Sequence, residues 1–195
     1  MKSLSLNKPH MIVMVGVPGS GKSFFAEKFA ETFRAPYISY EKIAAHLREE
    51  KDAAESILQY QLDELLKAGQ SIIIDGIGAT RASRSELSRK ARASGYETLL
   101  VWVQTDSATA KDRALKSAKN NTSSTLTPED YDRSAKHFSS PMATEKPVVI
   151  SGKHTYATQA KVVLKKLSGP RAEISAHPTA PIRTEQPGRR NITIR

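Results

Sequence analysis

A doubly wound α/β fold with a five-stranded parallel sheet is what this chain's pattern predicts, on three observations. Five short apolar runs (MIVMV, YIS, SIIID, TLLVWV and VVI) are continuous rather than alternating, as in strands covered on both faces. Between them lie stretches whose apolar residues recur three and four apart, the helical period. A glycine-rich string joins the first run to the first such stretch. Strands that alternate with helices pair in parallel and carry helices on both faces of the sheet.

The elements follow in order. Met11–Val15 reads as a buried strand, and Phe25, Phe29 and Phe33 line one face of the next helix. A short strand at Tyr37–Ser39 comes next. Ile57, Leu58, Leu62, Leu65 and Leu66 mark a second helix, stopped by Gly69. Ser71–Asp75 is a third strand, Ser83–Ser94 a basic helix ending at Gly95, and Thr98–Val103 a fourth strand. Asp106 caps a helix that runs to Ala118. Lys119–Leu126 is polar and aperiodic and reads as a mobile lid loop. Thr127-Pro128-Glu129-Asp130 starts the next helix: an N-cap Thr, a Pro in the first turn, and acids at the positive end of the dipole. Val148–Ile150 is the last strand and Tyr156–Leu167 the last helix.

Length bounds the organisation. At about 150 residues per domain, 195 residues make one domain, placed at 1–167. Residues 168–195 carry four prolines, five Arg against two Glu and no apolar period, and are expected to form a disordered basic tail. Zero cysteines exclude a disulfide framework, a thiolate metal site and a Cys nucleophile. The apolar run Ile12–Val17 is far shorter than the roughly 20 residues that span a bilayer, so no membrane partner is expected. The polar opening Met1–Pro9 has no signal-peptide core, and a cytoplasmic location is expected. A net charge of +10, most of it outside the tail, suits an anionic ligand.

The chemistry gathers at the end of the first strand. Gly16-Val17-Pro18-Gly19-Ser20-Gly21-Lys22-Ser23 fits G-x-x-x-x-G-K-[ST], between a strand and a helix as that motif requires. Glycines let successive N–H groups converge on phosphate oxygens, and the helix adds its positive end. Lys22 would reach the outer phosphates of ATP, and the Ser23 hydroxyl would join a Mg2+ shell. Gly16, Pro18, Gly19, Ser20 and Gly21 complete the nucleotide cradle. Asp75 closes the third strand on the same rim, where a carboxylate holds magnesium or its waters; the alternative is a cap for the following turn.

Three further positions are candidates. Glu41, two residues beyond the second strand, is placed to accept the proton of an acceptor hydroxyl, or else is an acid in a helix's first turn. Arg113, Lys116 and Lys119 share a helical face leading into the lid, and mobile cations there stabilise charge on a transferring γ-phosphoryl group; a solvated basic face has the same spacing. Arg113, deepest in that helix, is the preferred one. Gly152, after the last strand, allows close approach of the adenine to the backbone, or simply supplies a turn. Arg81, Arg84, Arg89, Lys90 and Arg92 form a basic run that reads either as a solvated helix face or as a track for a phosphate-rich acceptor. It lacks the interleaved aromatics that stack on single-stranded bases. The five histidines show no metal-ligand spacing.

GVPGSGKS, YISYEKI, SIIID and the Arg113 helix with its polar lid together resemble the P-loop kinases grouped as the AAA_33-type ATP-binding family. That family is similar to the kinase domain of polynucleotide kinases and, more distantly, to zeta-toxin and small-metabolite kinases. The resemblance spans roughly Met11 to Leu167 and implies a P-loop NTPase fold of the nucleotide-kinase kind. It implies Glu41 as the general base, where polynucleotide kinases carry Asp; the Arg that follows three residues later there is Ala44 here. Asp75 is followed by Gly76 where those kinases have Thr or Asn, and the second lid arginine matches Ser117.

The function expected is transfer of the γ-phosphoryl group of ATP to a hydroxyl: a polynucleotide 5′-hydroxyl, a nucleotide or a small metabolite. A nucleotide-dependent switch or binding module with slow hydrolysis is the alternative. A third reading makes the tail a nucleic-acid tether.

Overall fold

The computed structural model describes residues 8–47, 51–120 and 126–168. Residues 169–195 of the expected tail, and 121–125 of the expected lid loop, lie outside the described residues.

Strand β1 (His10–Val15) leads through the glycine-rich turn into α1 (Lys22–Phe33). Then come β2 (Tyr37–Ser39), α2 (Tyr40–His46), α3 (Lys51–Lys67) and β3 (Ile72–Asp75). Helix α4 (Arg81–Ala93), β4 (Glu97–Gln104) and α5 (Ser107–Asn120) follow. After 121–125 the chain forms α6 (Pro128–His137), a short 3-10 turn at Ala143–Glu145, β5 (Val148–Ser151) and α7 (Tyr156–Leu167).

The five strands form one all-parallel sheet in the order β2-β3-β1-β4-β5. The register places Met11 opposite Ile72 on one side of β1 and Ile12 opposite Leu99 on the other. Because neighbouring residues of a strand point to opposite faces, β1 feeds two cores at once. Ile12 and Met14 pack with Phe25 and Phe29 of α1 and Val163 of α7. Met11, Val13 and Val15 pack with Leu58 and Leu62 of α3 and Leu87 of α4. Phe25, Phe29 and Phe33 stack along α1, with successive ring centroids 5.3 and 4.6 Å apart.

Several boundaries differ from expectation. Helix α2 begins at once after β2 because the Ser39 side chain accepts a hydrogen bond from Lys42 N. It buries no residue fully, and its apolar face is only Tyr40 and Ile43, partly buried against the core, too short a pattern to announce it. Helix α4 starts two residues early, since Thr80 and Ser83 close a reciprocal capping box. Helix α5 runs on to Asn120, past the expected loop start. Ser71 stands outside β3, its hydroxyl accepting from His10 N at 2.9 Å.

Candidate functional site

Strand β1 lies between β3 and β4, so the turn leaving it emerges where the chain's winding changes direction, the place at which open α/β sheets bind ligands. The turn is held from behind. Gly19 has φ +74°, and a Cβ there would stand 2.0 Å from the Ala110 carbonyl of α5. Only glycine satisfies both the conformation and the space. Gly152 presses on the same turn: a Cβ on it would lie 2.0 Å from the Ser20 carbonyl and 2.2 Å from Thr105 Oγ1. The close approach that Gly152 permits is therefore to the glycine-rich turn itself. Thr105 Oγ1 completes the seam by donating to Ser20 O at 2.9 Å.

Helix α1 carries Lys22 and Ser23 in its first turn. Lys22 is nearly enclosed, its side chain 11% exposed, with Nζ 3.5 Å from Glu41 Oε1 of α2. Burial works against the ammonium most strongly, yet Glu41 and Asp75 outweigh it and hold the Lys22 pKa above its ordinary value. Ser23 Oγ donates to Asp75 Oδ2 at 2.5 Å, and the Tyr37 hydroxyl reaches the same oxygen at 3.4 Å. Asp75 is fully buried, and burial raises its pKa, opposed by Lys22. Its Oδ1 has no hydrogen-bond partner. A buried carboxylate with one unsatisfied oxygen, touching a hydroxyl at the end of a phosphate-type turn, is a hard-oxygen donor set that fits Mg2+. Ser23 and Asp75 are the residues that would hold that ion, which when bound neutralises charge on the phosphates.

Glu41, Lys22 and the turn open onto a cavity of about 450 Å³. Its other walls are Tyr40 of α2, the segment Gly76–Ala79 after β3, and α6 with Arg133, Ser134, His137 and Phe138. Arg113 does not line this cavity. It is an exposed residue of α5 rather than one tucked toward the sheet, and Nη1 donates to Gly152 O at 3.0 Å. Arg113 and Gly152 thus meet on the β5 side of the turn, away from Glu41. Lys116 is exposed and pairs with Asp112 of its own helix. The side chain of Lys119 lies outside the described residues.

The basic run on α4 divides. Arg81, Arg89 and Arg92 are exposed, and Lys90 pairs with Asp63 of α3 at 2.6 Å. Arg84 is 1% exposed, so neither expectation for the run describes it. Its guanidinium grips both Glu145 oxygens, at 2.7 and 3.0 Å, and donates to the carbonyls of Gly78 and Ser139 at 3.2 and 2.9 Å. Ser139 N also donates to Ala79 O at 3.0 Å, and Arg81 N to Ser139 Oγ at 2.9 Å. One buried cation therefore ties the cavity floor after β3 to the C-terminal end of α6. Its signal was in the sequence as spacing: Arg84, Leu87 and Ala91 share α4's buried face.

Residues 11–141 match the AAA domain family, about two thirds of the chain. The chain belongs to the AAA domain family. The match takes in the turn, Glu41, Asp75, Arg113 and α6, and stops before β5. Beyond the family match, a mimivirus protein (Acanthamoeba polyphaga mimivirus) described as a bifunctional polynucleotide phosphatase/kinase is 29% identical over 90 residues. That alignment covers 46% of this chain and 19% of the viral protein, so the AAA domain here spans about a fifth of that relative. Among solved structures, a gluconokinase from Sinorhizobium meliloti superposes with a TM-score of 0.61 at 18% identity, covering 82% of this chain and 91% of that one. The APS kinase of Mycobacterium tuberculosis, solved in complex with AMPPNP and APS, superposes at 0.58 with 16% identity, covering 82% and 97%. At these identities the likeness establishes the P-loop kinase fold for the AAA domain. No described helix is long and apolar enough to cross a membrane.

Proposed function

We propose that this chain is an ATP- and magnesium-dependent phosphotransferase that moves the γ-phosphoryl group of ATP to a hydroxyl, working in the cytoplasm. The observation that carries the reading is the Lys22–Glu41 contact at 3.5 Å on the wall of a ligand-sized cavity. A carboxylate in that place has no task in holding a polyphosphate, whose charge it opposes. It has one in receiving a proton.

In the proposed step the acceptor oxygen attacks the γ-phosphorus from the cavity side. The bond between that phosphorus and the β–γ bridging oxygen breaks, ADP leaves, and the hydroxyl proton passes to Glu41. Gly16, Pro18, Gly19, Ser20, Gly21 and Lys22 hold the phosphates, and Ser23 and Asp75 the metal side of the site. Lys22, at present turned to Glu41, would exchange that carboxylate for phosphate oxygens and so release the base as the donor binds. Arg113 is bonded to Gly152 O on the β5 side of the turn. It would act as a lid cation only after leaving that carbonyl.

The test is the purified chain with γ-labelled ATP and magnesium, offered 5′-hydroxyl RNA and DNA oligonucleotides in one tube and a small-metabolite extract in another. Label on a hydroxyl compound, absent with Lys22→Ala, is the expected result. Label released only as free phosphate would overturn the reading in favour of a slow hydrolytic switch.

A further inference from the structure

The cavity in front of Glu41 has a composition of its own, which the phosphate turn does not account for. The single carboxylate among its lining residues is Glu41, and Lys22 already faces it. Two nitrogen-bearing side chains, Arg133 and His137, lie four residues apart on one face of α6. The α6 wall therefore offers a guanidinium whose printed ion pair lies within its own helix, and an imidazole beside it. Arg133 is held by one exposed pair with Asp130 of its own helix, 3.3 Å, and its side chain is 80% exposed. Such a pair is weak enough to yield to a better anion.

Apart from Ser134, the side chains of the rest of the wall are mostly apolar and partly aromatic, chiefly Val17 and Pro18 of the turn, Tyr40 of α2, and Phe138 at the end of α6. An acceptor that presents hydroxyls on every side would leave several unpaired against such a surface, which is costly. A flat ring loses nothing there and gains contact with aromatic faces. The volume, about 450 Å³, suits one ring-bearing unit. The α6 face is also held in place, because the Arg84 clamp fixes Ser139, immediately after Phe138.

We infer that Arg133 and His137 are specificity-determining residues, and that the cavity takes a hydroxyl compound in which an oxyanion is joined to a flat ring, the chemistry of a nucleoside phosphate. This deepens the proposed kinase reading and rests on it. A free nucleotide and the end of a nucleic-acid strand share that chemistry, and the experiment separates them.

The experiment reads binding rather than turnover. The full chain, saturated with magnesium and AMPPNP, is titrated calorimetrically with uridine, its 3′- and 5′-monophosphates, a 5′-hydroxyl uridine dinucleotide, and gluconate. At least one monophosphate is expected to bind tenfold or more tightly than uridine. The Arg133→Ser/His137→Asn double variant should erase that gap while AMPPNP affinity stays the same. Tyr40→Ala should weaken uridine and its phosphates by the same factor, since it touches the ring and not the anion. A dinucleotide that binds tighter than either monophosphate identifies a strand end as the source, and one that binds no tighter identifies a free nucleotide. Equal binding of uridine and its phosphates, a gap that survives the double variant, or binding of gluconate alone would overturn the inference. If the wild-type chain fails to hold AMPPNP, the kinase reading itself falls, and this inference with it.

Discussion

Lys22 and Glu41 share one environment, so a change at either is felt by the other. Removing the ammonium takes charge-assisted contacts from the phosphates, each worth about 1.5–3 kcal/mol. Lys22→Ala is accordingly expected to raise the dissociation constant for ATP by about 100-fold, measured by calorimetry. Glu41→Gln separates the two roles. Turnover should fall by about 10²–10⁴, the usual worth of a general base, while ATP binds as well as before or slightly better, because Lys22 loses its competing carboxylate. An unchanged rate would remove Glu41 from the mechanism. Both residues were legible from position alone, Lys22 by its motif and Glu41 by its place beyond β2. Their contact was not, because α2, which delivers Glu41, is a short helix whose apolar face is only Tyr40 and Ile43.

Arg84 of α4 fastens the segment after α6 to the floor after β3, and there the sequence was least transparent. Arg84 stands in a run of cations, but its spacing sets it on the helix's buried face. Read by period, it belongs with Leu87 and Ala91, and a buried arginine demands buried acceptors, which Glu145, Gly78 and Ser139 provide. Those partners are 61, 6 and 55 residues away in the chain, so no local pattern could have supplied all of them. Arg84→Met should cost about 3–5 kcal/mol by leaving Glu145 without its partner, read by denaturant unfolding. The pair also carries a pH signature. The Arg84 hydrogen bonds hold the Glu145 pKa below the ordinary value near 4.5, so the folded state binds this proton less readily than the unfolded one. The stabilisation is complete above that ordinary value and is lost as pH falls through the depressed one. Melting curves of wild type and Glu145→Gln should therefore lie apart at pH 7 and converge toward pH 3. Elsewhere the sheet strands and the last helix were readable within a residue; the middle of the sheet, β1 and β3, is apolar and buried almost throughout, which sets its runs apart.

For the molecule as a whole, ligand linkage is the simplest readout. A ligand at 100 times its dissociation constant stabilises the native state by about 2.7 kcal/mol, and a domain of this size gains about 2–4 °C per kcal/mol. Magnesium and ATP should raise the melting temperature by roughly 5–10 °C in wild type, and by far less in Lys22→Ala. The sheet order explains why such a gain reaches the entire chain: β1, from which the phosphate turn hangs, bonds to a neighbour on each side and feeds both cores. By contrast, α6 is fastened to α5 by the buried Tyr131 and the Lys111–Asp132 pair, and the turn that follows it to the body through the Arg84 knot. The two halves of the site thus sit on foundations of unlike depth. Amide hydrogens of β1 should exchange only with global opening, and those of α6 well before it. A change on α6 is thereby confined to one wall of the cavity, whereas a change beneath β1 is felt on both faces of the sheet.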